Sequence, residues 1–381
     1  MPGITKRKYE AETTRIAKSL TRPLNLIVET LKPGYSSEEL LQAFKEYYPF
    51  EWERICERYQ VYSEKDMFLL KNGKKKRYNP LKPEVFFFRL PKVKHLLSDG
   101  FKEKHNLQYD EQQRLNYEEK LKNKRMVKIE KRSVAIRTNA KKMQQVDPGF
   151  IDALVYAYHK KENTTDDKME ICKEILKYDC DKTWEFFWKT NDSERNDQIR
   201  NYAFRCLQKS GHYVKLRKRF KGKKKQYMTE RSAFEGTPEG LAIRLRDSHS
   251  VQNIKSFDLF ISHSYKDKEI VSDVVRKANK HSLNCYVDWT ADNDFLKRSL
   301  VSDYTKEVLK ARMKQSKKLL FLSSVNSRES EWVAFELQYY QKEIQNEILM
   351  ILIDGEDTHG FKRIDTEELN GIFEEGRRNE G

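Results

Sequence analysis

The chain has 381 residues, room for two domains of ordinary size, and 38% of them are hydrophobic, including 20 Phe, 20 Tyr and 5 Trp. That content excludes wholesale disorder, and no apolar run approaches the length of a membrane span. The formal net charge is +16, yet of 75 Lys+Arg and 59 Asp+Glu the stretch from Lys255 onward holds 20 and 23, leaving 55 and 36 for residues 1–254. The basic character belongs to the N-terminal two-thirds, and such a step suggests two functional units.

Five scattered cysteines without a CxxC pair argue against a disulfide framework or a zinc ribbon and fit a reducing cytosol, so the expected location is cytoplasmic. The opening MPGITKRKYEAETTR has no apolar core of a secretory signal. The histidines lie far apart and none stands at ligand spacing from a cysteine, so no metal site is expected.

Read in chain order, residues 1–235 form a basic, mainly helical region. Ser36 is a cap candidate ahead of the acidic pair Glu38-Glu39, Leu40, Leu41, Phe44 and Tyr47 or Tyr48 recur at helical spacing, and Pro49 is placed to open a second helix. Residues 83–97 (PEVFFFRLPKVKHLL) are apolar and interrupted at Pro91, which predicts a short buried element with a kink. Residues 106–142 are polar and charged, and read as a long exposed helix or a poorly ordered connection. Asp147-Pro148-Gly149 breaks the pattern, a possible sub-boundary. Beyond it FIDALVYAYHKK, KMEICKEILKYD and NDQIRNYAFRCLQKSGHY each carry apolar residues three or four apart, the mark of packed helical pairs.

Two basic clusters stand in this region. One is KNGKKKR, from Lys71 to Arg77; the other sets Lys215, Arg217, Lys218, Arg219, Lys221, Lys223, Lys224 and Lys225 within eleven positions. The second is a candidate patch for nucleic acid or a partner, and reads equally as a solvated helix end running into a linker. Residues 236–254, with Gly236-Thr237-Pro238 and the polar RDSHSVQN, form the expected linker.

From residue 255 the pattern changes. FDLFIS (257–262), LNCYV (283–287), KLLFL (318–322) and EILMILI (347–353) read as buried strands. Helical patterns lie between them: residues 267–280, with Ile270, Val271, Val274, Val275 and Ala278 on one face, then 301–313 and 330–341. Strands alternating with helices predict a parallel sheet covered on both faces, in a doubly wound, flavodoxin-like arrangement whose ligands sit beyond the strands' carboxyl ends. Those ends carry Ser262-His263-Ser264, Asp288-Trp289 and Ser323-Ser324.

The last helical pattern places Trp332 and Glu336 four apart on one face, with Ser330 as a cap candidate. A carboxylate beside an aromatic can hold a flat ring and stabilise positive charge near it. The plain alternative is a core tryptophan and a solvated glutamate.

The boxes FDLFISHSYKD, CYVDW, LLFLSS and SRESEWVAFEL, in that order and spacing, resemble a TIR (Toll/interleukin-1 receptor) domain from Phe257 through Ile353, within an expected domain of residues 255–381. The resemblance implies an enzyme that cleaves NAD⁺ at the nicotinamide–ribose bond, with NAD⁺ as substrate and no cofactor. It implies Glu336 as the catalytic carboxylate and Trp332 as a wall of the nicotinamide pocket. Ser262, His263 and Ser264 would line the ribose and phosphates, and Asp288, Trp289 and Arg298 would flank a loop that gates the cleft. It also implies self-association through the TIR domain, in bacterial anti-phage defence, with a nucleic-acid or phage-derived trigger received by the N-terminal region. Two departures stand out: the loop TADNDFLKRS has no glycine, and Val333 follows the tryptophan where cysteine is common. Two other readings stay open, a non-catalytic scaffold and a nucleic-acid sensor that uses its TIR domain for assembly.

Overall fold

The computed structural model describes residues 4–216, 226–232, 236–247, 250–296, 302–356 and 359–372. Two units follow from its internal packing: Met1–Arg137 with Gly211–Tyr213, and Thr138–Ser210 with Val214–Gly381.

The first unit is helical: α1 (Ile4–Val28), α2 (Ser37–Tyr47), α3 (Pro49–Lys71), α4 (Pro83–Phe88), α5 (Pro91–Leu96), α6 (Asp99–Leu107) and α7 (Glu111–Ala140), at whose last turn the division falls. Ser36 and Glu39 close a capping box on α2, with Ser36 N–H donating to Glu39 Oε2 at 2.7 Å and Glu39 N–H to Ser36 Oγ at 3.1 Å. Pro49 opens α3, and Pro91 splits the 83–97 run into two short helices instead of kinking one. Their Phe87, Val93 and Leu96 join Leu24, Ile27, Leu40 and Phe44 in one core. Helix α7 is the long exposed helix; it buries Leu121.

The second unit has a helical layer and an α/β layer. The helical layer holds α8 (Ile151–Tyr158), α9 (Thr165–Ile175), α10 (Asp181–Ser193) and α11 (Asp197–Lys209), packed around Leu154, Cys172, Phe187, Ile199 and Leu207. Then come α12 (Pro238–Arg246), β1 (Phe257–Ser262), α13 (Lys268–Lys280), β2 (Cys285–Tyr286), α14 (Asp288–Ala291), α15 (Asp303–Lys314), β3 (Ser316–Ser323), α16 (Val325–Arg328), α17 (Glu331–Tyr339), β4 (Ile348–Leu352) and β5 (Lys362–Arg363). The sheet runs β2-β1-β3-β4-β5, every pair parallel. Alternate strand residues face opposite ways. Phe260, Tyr286, Phe321 and Met350 meet α15 and α17 on one face; Leu259, Ile261, Leu320 and Ile351 meet α13 on the other.

The expected flavodoxin-like sheet is present, with three differences of detail. Ile270 is exposed, because Val271, Val274 and Ala278 already fill the inward stripe of α13. Helices α10 and α14 and strand β5 were not anticipated. The stretch expected as a linker, 236–254, instead carries the packed helix α12, whose Leu241 and Ala242 share a core with Phe295 and Val308, and the compact unit reaches back to Thr138.

Candidate active site

Strand order reverses between β1 and β3, the place where open parallel sheets bind ligands. Ser262 ends β1 and shares a face with Phe260, two residues earlier, so its side chain lies on the α17 side of the sheet. Helix α17 starts at Ser330, whose hydroxyl accepts from the Val333 N–H at 3.4 Å. That start sets the helix phase: Val333, Leu337 and Tyr340 point into the core, and Glu336 shares their stripe. The Ser262 hydroxyl donates to Glu336 Oε2 at 2.6 Å, with Ser262 fully buried and Glu336 only 8% exposed.

Burial pushes the Glu336 carboxyl up to about 8 from 4.5; the Ser262 hydrogen bond works against this and the charge of Asp288 adds to it. A buried carboxylic acid with one hydroxyl partner is poorly solvated when ionised, so it gains from a cation brought against it. Trp332, one turn earlier, is half-buried and meets Phe335 edge to face at 6.4 Å. The glutamate is therefore buried rather than solvated, while Trp332 is partly buried and packs against the core.

The rim after β1 and β2 is tied together by hydrogen bonds. His263 Nδ1 lies 2.8 Å from the Ile261 carbonyl and must donate to it, which leaves Nε2 to accept from the Trp289 indole at 2.8 Å. Those bonds fix the Nδ1–H tautomer. Asp288 Oδ1 stands 3.8 Å from the same Nε2 and accepts from the Trp289 N–H at 2.7 Å. Ser264 caps the short turn Tyr265–Asp267, whose Asp267 accepts from Ser324 Oγ at 2.5 Å and Asn326 Nδ2 at 2.7 Å. That carboxylate joins the segment after β1 to the segment after β3. A cavity of about 430 Å³ lies elsewhere in this unit, among Tyr158, Lys168, Phe186 and Glu194, and touches none of these residues.

Residues 260–358 match the family description "Thoeris protein ThsB, TIR-like domain". Over 342 residues the chain is 51% identical to a protein of Cytobacillus dafuensis named "Putative cyclic ADP-D-ribose synthase TIR2", with 89% of each chain covered. The chain belongs to the Thoeris TIR-domain proteins. It is also 37% identical over 86 residues, 23% of this chain and 44% of the other, to the "Probable 3' cyclic ADP-D-ribose synthase ThsB'" of Bacillus cereus (strain MSX-D12). No solved structure matches it.

In this TIR domain the fold brings Ser262, His263, Asp288, Trp289 and Glu336 into one hydrogen-bonded and electrostatic neighbourhood, with Trp332 one turn from Glu336 on α17. Arg298 lies outside the described residues, as do Arg217, Lys218, Arg219, Lys221, Lys223, Lys224 and Lys225; Lys215 is described, and its carbonyl accepts from Asn191 Nδ2 at 3.0 Å. Sequence reasoning missed Asp267 as a link between the two rims, although it stood inside the quoted SYKD box. Among the described residues no helix is long and apolar enough to cross a membrane.

Proposed function

We propose that this protein cleaves NAD⁺ at the nicotinamide–ribose bond and closes the ADP-ribose into a cyclic product, with Glu336 as the catalytic carboxylate. The buried Glu336–Ser262 pair at the sheet's switch point carries the reading. Identity of 51% along nearly the whole length of a protein named as a cyclic ADP-ribose synthase supports it. As the C1′–N bond breaks, nicotinamide leaves neutral with the electron pair and the ribose becomes oxocarbenium-like. What needs stabilising is positive charge on the sugar, and a preorganised carboxylate in a dry site does this better than water. The nicotinamide ring arrives already cationic, and its approach favours the ionised form of a carboxyl that burial otherwise holds protonated near neutral pH. A nucleophile in the ADP part of the same molecule then attacks C1′ and closes the ring; water at that position would give linear ADP-ribose. Trp332 walls the nicotinamide, Ser262, His263 and Ser264 line the ribose and phosphates, and Asp288 and Trp289 flank the loop that gates the cleft.

The setting is anti-phage defence, with activity switched on by self-association through the TIR domain. The trigger acts on the basic N-terminal region. An anionic trigger is favoured by the loop 71–77, exposed throughout, whose chain Asp66 pins by accepting from the N–H groups of Arg77 at 2.7 Å and Asn79 at 2.6 Å. The test is nicotinamide release by concentrated purified protein, with a crowding agent and mixed nucleic acids, beside Glu336→Ala. Release by the wild type alone supports the enzyme; no release even in forced assemblies moves the reading to a scaffold.

A further inference from the structure

The helical layer of the second unit grips the segment that carries Asp288 and Trp289 at both of its ends. Strand β2 is the edge of the sheet, and its outer side is taken up by one side chain: Gln144 Nε2 donates to the Cys285 carbonyl at 2.8 Å, and the Cys285 N–H donates to Gln144 Oε1 at 3.1 Å. Six residues on, the Lys177 ammonium donates to the carbonyl of Ala291, which ends α14. The two grips form one piece. Gln144 N–H donates to the Lys177 carbonyl at 2.8 Å and the Asp179 N–H to the Gln144 carbonyl at 2.7 Å, a short parallel bridge that fixes the two residues against each other. Lys177 is held in turn by Glu174 at 2.9 Å, and Glu174 by the buried Lys255 at 2.7 Å. Next after α14, buried Asp292 takes Arg312 Nε at 2.8 Å and Lys255 at 3.4 Å.

We propose that Gln144 and Lys177 are positioning residues for the cleft, a two-point brace from the helical layer that holds residues 285–291 so that Asp288 and Trp289 stand correctly beside His263. This rests on the NAD⁺-cleaving reading above. It makes the helical segment after Thr138 part of the working cleft. A long, half-buried ammonium is needed at position 177 because the carbonyl at a helix end has no donor of its own, and an amide is needed at 144 because an edge strand offers both an N–H and a C=O. Small misplacements of positioning groups are felt strongly in rate, up to about a hundredfold for about 1 Å.

The test compares wild type, Gln144→Met, Lys177→Met and Lys177→Arg, all full length, by NAD⁺ kinetics per folded molecule and by amide hydrogen exchange. Expected are a fall in kcat of about tenfold or more for both Met variants, faster exchange confined to residues 285–291, and recovery to within about threefold in Lys177→Arg. Unchanged kcat per folded molecule, or exchange that rises evenly across the sheet with activity merely tracking the folded fraction, overturns the brace. Should the wild type cleave no NAD⁺, the enzymatic reading fails by itself and the exchange pattern still decides whether the brace holds the segment. If a Met variant does not fold, Lys177→Arg and Gln144→Glu, which keeps one of the two bonds, give the graded comparison: graded local exchange supports the brace and equal exchange refutes it.

Discussion

Replacing Glu336 by Gln should make the protein more stable while abolishing its chemistry. Glutamine keeps the side chain's shape and still accepts from Ser262, so the chief change is the exchange of an ionisable group for a neutral amide. In the folded chain the carboxyl titrates at about 8, against 4.5 when unperturbed, because it is buried. A group with a raised value contributes stability that is fully present below 4.5 and is lost as pH rises toward 8. At about 1.4 kcal/mol per pH unit, wild type should be weaker than Glu336→Gln by about 3 kcal/mol at pH 7 and about 5 kcal/mol above pH 9, with near equality at pH 4. For a unit of this size the pH 7 difference corresponds to roughly 6–12 °C in Tm. Calorimetric unfolding of both proteins at pH 4, 7 and 9, beside an NAD⁺ cleavage assay, reads the two effects together. A stability difference that does not change with pH would refute the reasoning, since it would mean that Glu336 ionises in the fold as freely as in water.

Three further outcomes follow from the same geometry. The value of kcat/KM for NAD⁺ should rise about tenfold per pH unit below a midpoint near 8 and level off above it, because it reports the free enzyme's carboxyl; kcat should level off at lower pH, where the bound cation favours ionised Glu336. Ser262→Ala removes the hydrogen bond that favours the ionised form, so that midpoint should move up by roughly one to two pH units; a pH–rate profile that does not move contradicts the pairing. Asp292→Ala takes from buried Arg312 its carboxylate partner, and urea unfolding should show a loss of about 3–5 kcal/mol; a loss below about 1 kcal/mol would mean that the network is relieved by water.

Local chemistry made much of this molecule legible. The run FDLFIS is β1 residue for residue, the Ser36 box starts α2, and the Trp332–Glu336 spacing is helical, with both residues on α17. Even the burial of Glu336 had a sign in the sequence, because Val333, Leu337 and Tyr340 define the inward stripe and position 336 falls on it. Helix α10 was missed because DKTWEFFWKTNDS is rich in aromatic, Thr, Asp and Asn residues with weak helix preference, although Thr183, Phe186, Phe187 and Thr190 carry a helical stripe. Helix α14 is four residues long, too short to show a period. The brace and the Lys255–Glu174–Asp292–Arg312 network had no local signature at all. Gln144 meets Cys285 across 141 positions, and a buried ion pair repeats nothing that a periodicity could reveal. The charge step near residue 254 is a property of composition, and the compact unit, which reaches back to Thr138, is set by interior packing.

The most direct test of the account is the mass of what wild-type protein makes from NAD⁺, set beside Glu336→Gln under the same assembly-promoting conditions. The account predicts one nicotinamide released per product, a product mass one water below that of ADP-ribose, and neither from Glu336→Gln. Turnover that survives in Glu336→Gln would contradict the catalytic role of the carboxylate, and a product that is wholly linear ADP-ribose would contradict cyclisation.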